Sequence, residues 1–216
     1  DVLIGGAGAD TLTGGAGVDQ ISYAASAQGV VVHLETGFVS GGDAAGDVIS
    51  GVENVVGSAF ADTIRGDAAA NELIGGDGAD TLNGYGGADT INGGDGNDTV
   101  RGMHGDDILL GGAGVDRIIG DVGEDVLDGG EGNDTLAGGS SDDVLSGGDG
   151  EDLLTGGGGA DVYFGDAGAD RMYERNDGAA DVFDGGADID TVGYIYEKSV
   201  GLTIDLENQA LNAGAA

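Results

Sequence analysis

No cysteine, proline or tryptophan occurs among the 216 residues, and phenylalanine appears only four times. Without cysteine there are no disulfide staples and no thiolate chemistry. With so few aromatics, an ordinary globular core of large side chains is out of reach. No apolar run approaches the ~18 residues that a membrane-spanning helix needs, and the first residues do not form a secretory leader pattern. Basic residues are equally scarce: six against 41 acidic ones, for a formal net charge of −35. Nucleic acid and anionic membrane surfaces would not attract such a chain, which argues against both as partners. By composition alone it belongs with disordered polymers.

What the chain has in excess is glycine, 50 residues, and aspartate placed by rule. From residue 57 to residue 173, thirteen nine-residue units follow one another without insertion or deletion. The clearest is Gly93-Gly94-Asp95-Gly96-Asn97-Asp98-Thr99-Val100-Arg101. The first position is always glycine, and the fourth is glycine except at Phe60, Ala69 and Ser141. The sixth is aspartate in twelve units, with Asn71 the exception, and the eighth is always apolar, from Ile64 and Leu73 to Tyr163 and Met172. Such self-similarity at a fixed short period is a solenoid signature. Glycine at the first, second and fourth positions permits positive φ and close backbone approach. Ser141 fits such a turn only where it is not strongly left-handed. The triplet after aspartate, as in Thr99-Val100-Arg101, alternates polar and apolar, so a short strand would turn only its middle side chain inward.

This spacing resembles the GGxGxDxUx nonapeptide of the RTX (repeats-in-toxin, hemolysin-type) family of secreted calcium-binding proteins. The resemblance implies an all-β fold, a right-handed parallel β-roll (β-solenoid) with two nonapeptide repeats per coil. Six residues of each unit would form a turn and the last three a short strand. It also implies multiple Ca²⁺ ions as the cofactor, held between adjacent turns by carboxylates and turn carbonyls, the hard oxygen ligands that Ca²⁺ takes. The candidate carboxylates are Asp10, Asp19, Asp62, Asp80, Asp89, Asp98, Asp107, Asp116, Asp125, Asp134, Asp143, Asp152, Asp161, Asp170 and Asp190. The glycines that open the units, Gly75, Gly84, Gly93, Gly102, Gly111, Gly120, Gly129, Gly138, Gly147 and Gly156, belong to the same candidate sites. Phe60, Ala69 and Asn71 weaken the first two turns, which read as a metal-poor cap.

One apolar residue in nine is a thin core, and two aliphatic side chains per coil cannot offset the entropy of ordering eighteen backbones. Stacking also brings aspartates of successive coils together, where each pair ~5 Å apart repels by ~3 kcal/mol at an effective dielectric near 20. A cation between them reverses that sign, so binding and folding are expected to be one event. About ten bound Ca²⁺ would bring the formal charge to roughly −15 and relieve most of the self-repulsion.

Outside the array the organisation is looser. Residues 1–22 read as the end of a preceding roll that extends upstream, with units at 5–13 and 14–22. Residues 23–56 break the register and read either as wider coils or as a strap. The main roll is expected over 57–193, and 194–216 opens a second spacer, because Tyr194 to Glu207 repeats the pattern of Tyr23 to Glu35. After a two-residue insertion at Glu174 and Arg175, units at 176–184 and 185–193 follow, with weak or absent metal expected at Asp181. The chain reads as an excerpt of a longer protein, with no export signal evident.

No catalytic residue is assigned. His33 and His104 lie far apart and are expected to face outward, and neither a His-Glu-x-x-His motif nor a nucleophile elbow is present. The resemblance implies a module secreted by type I machinery, extracellular or at the cell surface, that folds on calcium after export. Two alternatives are an accessory module of a secreted protease, lipase or alginate epimerase whose catalytic domain lies elsewhere, and an adhesin or ice-binding extender using the Thr63, Thr81, Thr99 and Thr135 face, which Arg117 and Leu153 interrupt. On the other side Ile108, Val126, Val144 and Val162 form an aliphatic column beside Leu110 and Phe164. A flanking spacer, domain or second chain is expected to cover it.

Overall fold

A computed structural model describes residues 1–175, 177–194 and 203–205, with the backbone alone at 194 and 203–205. Among these the only helix is one 3₁₀ turn, Gly42–Ala44, so no helix is long and apolar enough to cross a membrane. The strands form two long sheets of eleven and ten strands, parallel except for one antiparallel pair at the end of the second, and a separate two-stranded sheet. The period sets the pairing. Thr81 lies between Thr63 and Thr99 in one sheet, and Thr90 between Glu72 and Ile108 in the other. Each eighteen-residue step is therefore one coil, and each nonapeptide crosses from one sheet to the other.

The eighth-position side chains of both sheets meet in one core. Ile64, Leu82, Val100, Ile118, Leu136 and Leu154 come from the ten-stranded sheet, and Leu73, Ile91, Leu109, Leu127, Leu145 and Tyr163 from the eleven-stranded one. None is more than 1 % exposed.

The strands are longer than the three residues expected. Thr63–Arg65 and Thr81–Asn83 keep that length, but Thr90–Asp95, Thr99–His104 and Ile108–Ala113 run for six residues, through the third position of the next unit. Ladder pairing continues across the glycine pair, Gly94 opposite Gly112 and Asp95 opposite Ala113. Side-chain-free backbones can approach closely enough to keep pairing there.

The glycines also divide their work differently from the expectation. First-position glycines do not have positive φ; they are kept small by space, since a Cβ on Gly93 would lie 2.4 Å from Asp98 Oδ2. Fourth-position glycines carry the left-handed turn: Gly96 has φ 140°, and its Cβ would meet the Gly78 carbonyl at 1.6 Å. Ser141 corrects the sequence reading, because it adopts φ 86° in a fully left-handed turn. The stacked coils impose that turn, and its exposed side chain meets solvent instead of backbone.

Residues 23–56 make one wide coil. Gln20–Ser22 pairs directly with Asn54–Val56, a 34-residue step, and Val31–His33 pairs with Thr63–Arg65. The extra length is an antiparallel hairpin, Val31–His33 with Phe38–Ser40, followed by Val48–Ser50 stacked on Thr11–Thr13. At the far end the step lengthens to twenty residues, with Val162 opposite Val182, and Thr203–Asp205 pairs with Val182–Asp184. Most of the proposed second spacer lies outside the described residues.

The aliphatic column is open. Ile108, Val126 and Val144 are 36–46 % exposed and Val162 is half-buried. The wide coil does not cover it, because it stacks beyond Thr63–Arg65 at the other end of the roll.

Candidate metal sites

Each sixth-position residue closes a turn immediately before a strand, so stacking aligns these residues into two columns. On the edge that feeds the ten-stranded sheet, the backbone N–H of Asp62 donates to Asp80 Oδ1 at 2.7 Å. The same bond recurs through Asp98, Asp116, Asp134, Asp152 and Asp170 to Asp190. On the other edge it runs from Asn71 through Asp89, Asp107, Asp125, Asp143 and Asp161 to Asp181. Strands about 4.8 Å apart bring successive carboxylates within a similar distance.

That bond uses one oxygen of each carboxylate. The other, Oδ2, is buried without any hydrogen-bond partner in Asp19, Asp80, Asp89, Asp98, Asp107, Asp116, Asp125, Asp134, Asp143, Asp152, Asp161 and Asp170. The opening glycine of the same unit lies against it. A Cβ at Gly75, Gly84, Gly93, Gly102, Gly111, Gly120, Gly129, Gly138, Gly147 or Gly156 would come within 2.1–2.5 Å of that oxygen. Twelve orphaned carboxylate oxygens in one small solenoid need either protons or cations.

Without a cation, burial pushes the sixth-position aspartates of the main array, Asp80 to Asp170, up from 3.8. Asp89, Asp98, Asp107, Asp125, Asp134 and Asp161 rise to about 6, Asp80 and Asp170 to about 7, and Asp143 to about 8. Hydrogen bonds from the preceding coil pull the other way, and neighbouring carboxylates add to the rise. The donor set is all oxygen and anionic, with no histidine or thiol, which suits a hard divalent ion.

Three positions solve the problem without a cation. Asp62 Oδ2 accepts the Ser58 N–H, and its Oδ1 accepts both the Ser58 hydroxyl and the Val30 N–H. Asn71 is neutral, with Oδ1 accepting the Asp67 N–H and Nδ2 donating to the Glu53 carbonyl. Asp47 takes the Asp10 N–H on one oxygen and the Tyr23 hydroxyl, at 3.1 Å, on the other.

Asp47 and Glu53 were missed by the repeat register. Glu53 accepts the Asp19 N–H at 2.9 Å, the part an aspartate plays elsewhere. The available signal was position, each lying directly before a strand. Asp10 is only half-buried, and its N–H is the one held by Asp47. The histidines stand apart from both columns: His104 is exposed, and His33 packs tilted on Phe38 with ring centroids 5.4 Å apart.

Comparison with known families agrees with this geometry. The family model described as RTX calcium-binding nonapeptide repeat (4 copies) matches residues 1–25, 47–82, 66–100, 83–118, 102–136, 110–145 and 137–172. No curated protein sequence matches the chain. The repeats of this family bind calcium, and the orphaned aspartate columns accommodate several such ions. With more than half of its length matched in register, the chain belongs to the RTX calcium-binding nonapeptide-repeat family.

Proposed function

We propose that this chain is a folding-switch module of a secreted bacterial protein: unfolded where calcium is scarce and assembled into the roll outside the cell. The repeat roll is a structural calcium-binding domain rather than a catalytic one. Ca²⁺ would sit between adjacent turns of one edge, held by sixth-position carboxylates from Asp80 to Asp170 and their opposite-edge counterparts from Asp89 to Asp161, with Asp19 in the flanking unit. The ions supply the positive charge that makes stacking of those carboxylates favourable.

The observation that carries this reading is the pair of buried columns in which the Oδ2 atoms from Asp80 to Asp170 on one edge and from Asp89 to Asp161 on the other accept no hydrogen bond. A chain with six basic residues cannot neutralise them itself. Extracellular calcium near ~10⁻³ M would fill sites whose dissociation constants lie at about 10⁻⁴–10⁻³ M, while the cytosol would leave them empty. Export through type I machinery fits a chain with no disulfides to form and no fold before calcium arrives. The test is a calcium titration followed by far-ultraviolet circular dichroism. Sheet signal should appear cooperatively at millimolar calcium, and a full sheet signal in EGTA at neutral pH would refute the switch.

A further inference from the structure

At the carboxyl-terminal end of the roll the repeat is broken in a way that changes the chemistry. Two extra residues separate Tyr173 from Asp181, and the place of the opening glycine is taken by Glu174. In the regular units a side chain there would strike the carboxylate of its own unit. Here the longer turn makes room, and Glu174 is completely buried at 0 % exposure. One of its oxygens, Oε2, accepts the Tyr163 hydroxyl, which itself accepts the Gly156 N–H at 2.6 Å. The other, Oε1, is buried with no hydrogen-bond partner.

Two further carboxylates converge on it. One oxygen each of Asp161, Glu174 and Asp181 lie within 4.8 Å of one another, and all three residues are buried. Asp161 Oδ2 is likewise unpartnered, its Oδ1 being occupied by the Asp143 N–H. Asp181 uses Oδ1 to accept the Asp161 N–H at 3.2 Å. Among the described residues no lysine or arginine pairs with any of the three. Ligands on opposite sides of a calcium ion, with bonds of about 2.4 Å, are about 4.8 Å apart, so one ion can reach all three.

We propose that Asp161, Glu174 and Asp181 form a calcium site distinct from the repeat sites, with Glu174 as a ligand from inside the roll. The repeat sites draw one carboxylate from each of two adjacent turns; this one draws three. Among the described residues it is the tightest calcium site, because three anionic ligands converge with little solvent around them. Tyr163 positions Glu174 by fixing Oε2, which leaves Oε1 free of protein partners to take the ion. The sequence alone points to weak or absent metal at Asp181, since the turn is loosened; the third carboxylate reverses that reading.

The test is equilibrium dialysis of the full 216-residue chain against calcium, comparing wild type with Glu174→Gln. Glutamine keeps the shape and can still accept the Tyr163 hydroxyl, but it removes the charge. The variant should lose the tightest ion, its affinity falling at least about tenfold, the effect that even an outer-shell partner produces. The remaining ions and the sheet signal at saturating calcium should be kept. An unchanged tight phase would overturn the proposal and make Glu174 a protonated partner of Tyr163. Should Glu174→Gln fail to fold, Asp181→Asn at the rim decides: loss of one tight ion supports the site, and full stoichiometry overturns it. Wild type that binds several ions while neither variant loses one would sink this site and leave the repeat sites standing. A wild type that binds none would sink both.

Discussion

Protons should substitute for calcium, in part, in building the roll. Unfolded aspartates release their protons near 3.8, whereas in the metal-free roll Asp89, Asp98, Asp107, Asp125, Asp134 and Asp161 hold theirs to about 6 and Asp80, Asp170 and Asp143 to about 7–8. Folding without calcium therefore takes up protons. Stability of the metal-free roll is greatest below about pH 4, falls as the pH rises, and is lost through pH 6–8. For one carboxyl shifted from 3.8 to about 6, the penalty is about 3 kcal/mol at pH 8 and roughly half that at pH 5. Across the nine groups the move from pH 8 to pH 5 favours folding by on the order of 10 kcal/mol, comparable with the whole stability of a small domain.

The assay is circular dichroism with light scattering on calcium-stripped protein, at pH 5 and pH 8, both above the isoelectric point of about 4.1. Sheet signal with a compact radius should return at pH 5 and be absent at pH 8, and calcium at pH 8 should do what acid does. Equal folding of stripped protein at both values would refute the idea that orphaned carboxylates decide stability. So would the reverse order, with more sheet at pH 8.

Four further outcomes follow from particular residues. Gly96→Ala should cost several kcal/mol or prevent folding at saturating calcium, because φ is 140° and the added carbon lies 1.6 Å from the Gly78 carbonyl. Gly158→Ala should be nearly neutral in the same thermal melt, since its nearest neighbour is Asp177 Oδ2 at 3.5 Å and its φ is not left-handed. Ser58→Ala should destabilise the roll by about 1–3 kcal/mol in calcium melts without changing the number of ions bound, because it removes one of the hydroxyl and N–H donors that satisfy Asp62. In hydrogen exchange at limiting calcium, the amides of Ile64 and Leu73 should stay protected longer than those of Leu109 and Leu127. Uniform loss would contradict a local dependence on the ion.

The roll itself was legible because one rule repeats without slippage. Asp98 stacks on Asp80 and Asp116 only if the step is eighteen residues, and thirteen units in register fix that step in the sequence itself. Strand length was not legible, since glycine pairs such as Gly93-Gly94 look like turn residues, yet across coils they continue the ladder. The left-handed Ser141 was misread for a related reason: local preference opposes that φ, but neighbouring coils impose it. Asp47, Glu53 and Glu174 escaped notice because insertions moved them out of the repeat register while the ladder kept their chain positions aligned in space.

Those insertions give the two buried tyrosines, Tyr23 and Tyr163, their partners. A regular site needs two turns stacked at one fixed spacing, and each break in the period disturbs that spacing. At the first break, inside the 34-residue coil, the Tyr23 hydroxyl takes up the second oxygen of Asp47, so a protein donor stands where an ion would otherwise be required. At the second break, Tyr163 does the same for one oxygen of Glu174. The outcome differs because of what surrounds each pair. Asp47 is left with both oxygens satisfied, whereas Glu174 keeps one bare buried oxygen and has a carboxylate oxygen within 4.8 Å of those of Asp161 and Asp181. The same hydroxyl contact thus lowers the demand for a cation near the amino-terminal break and concentrates it at the carboxyl-terminal one.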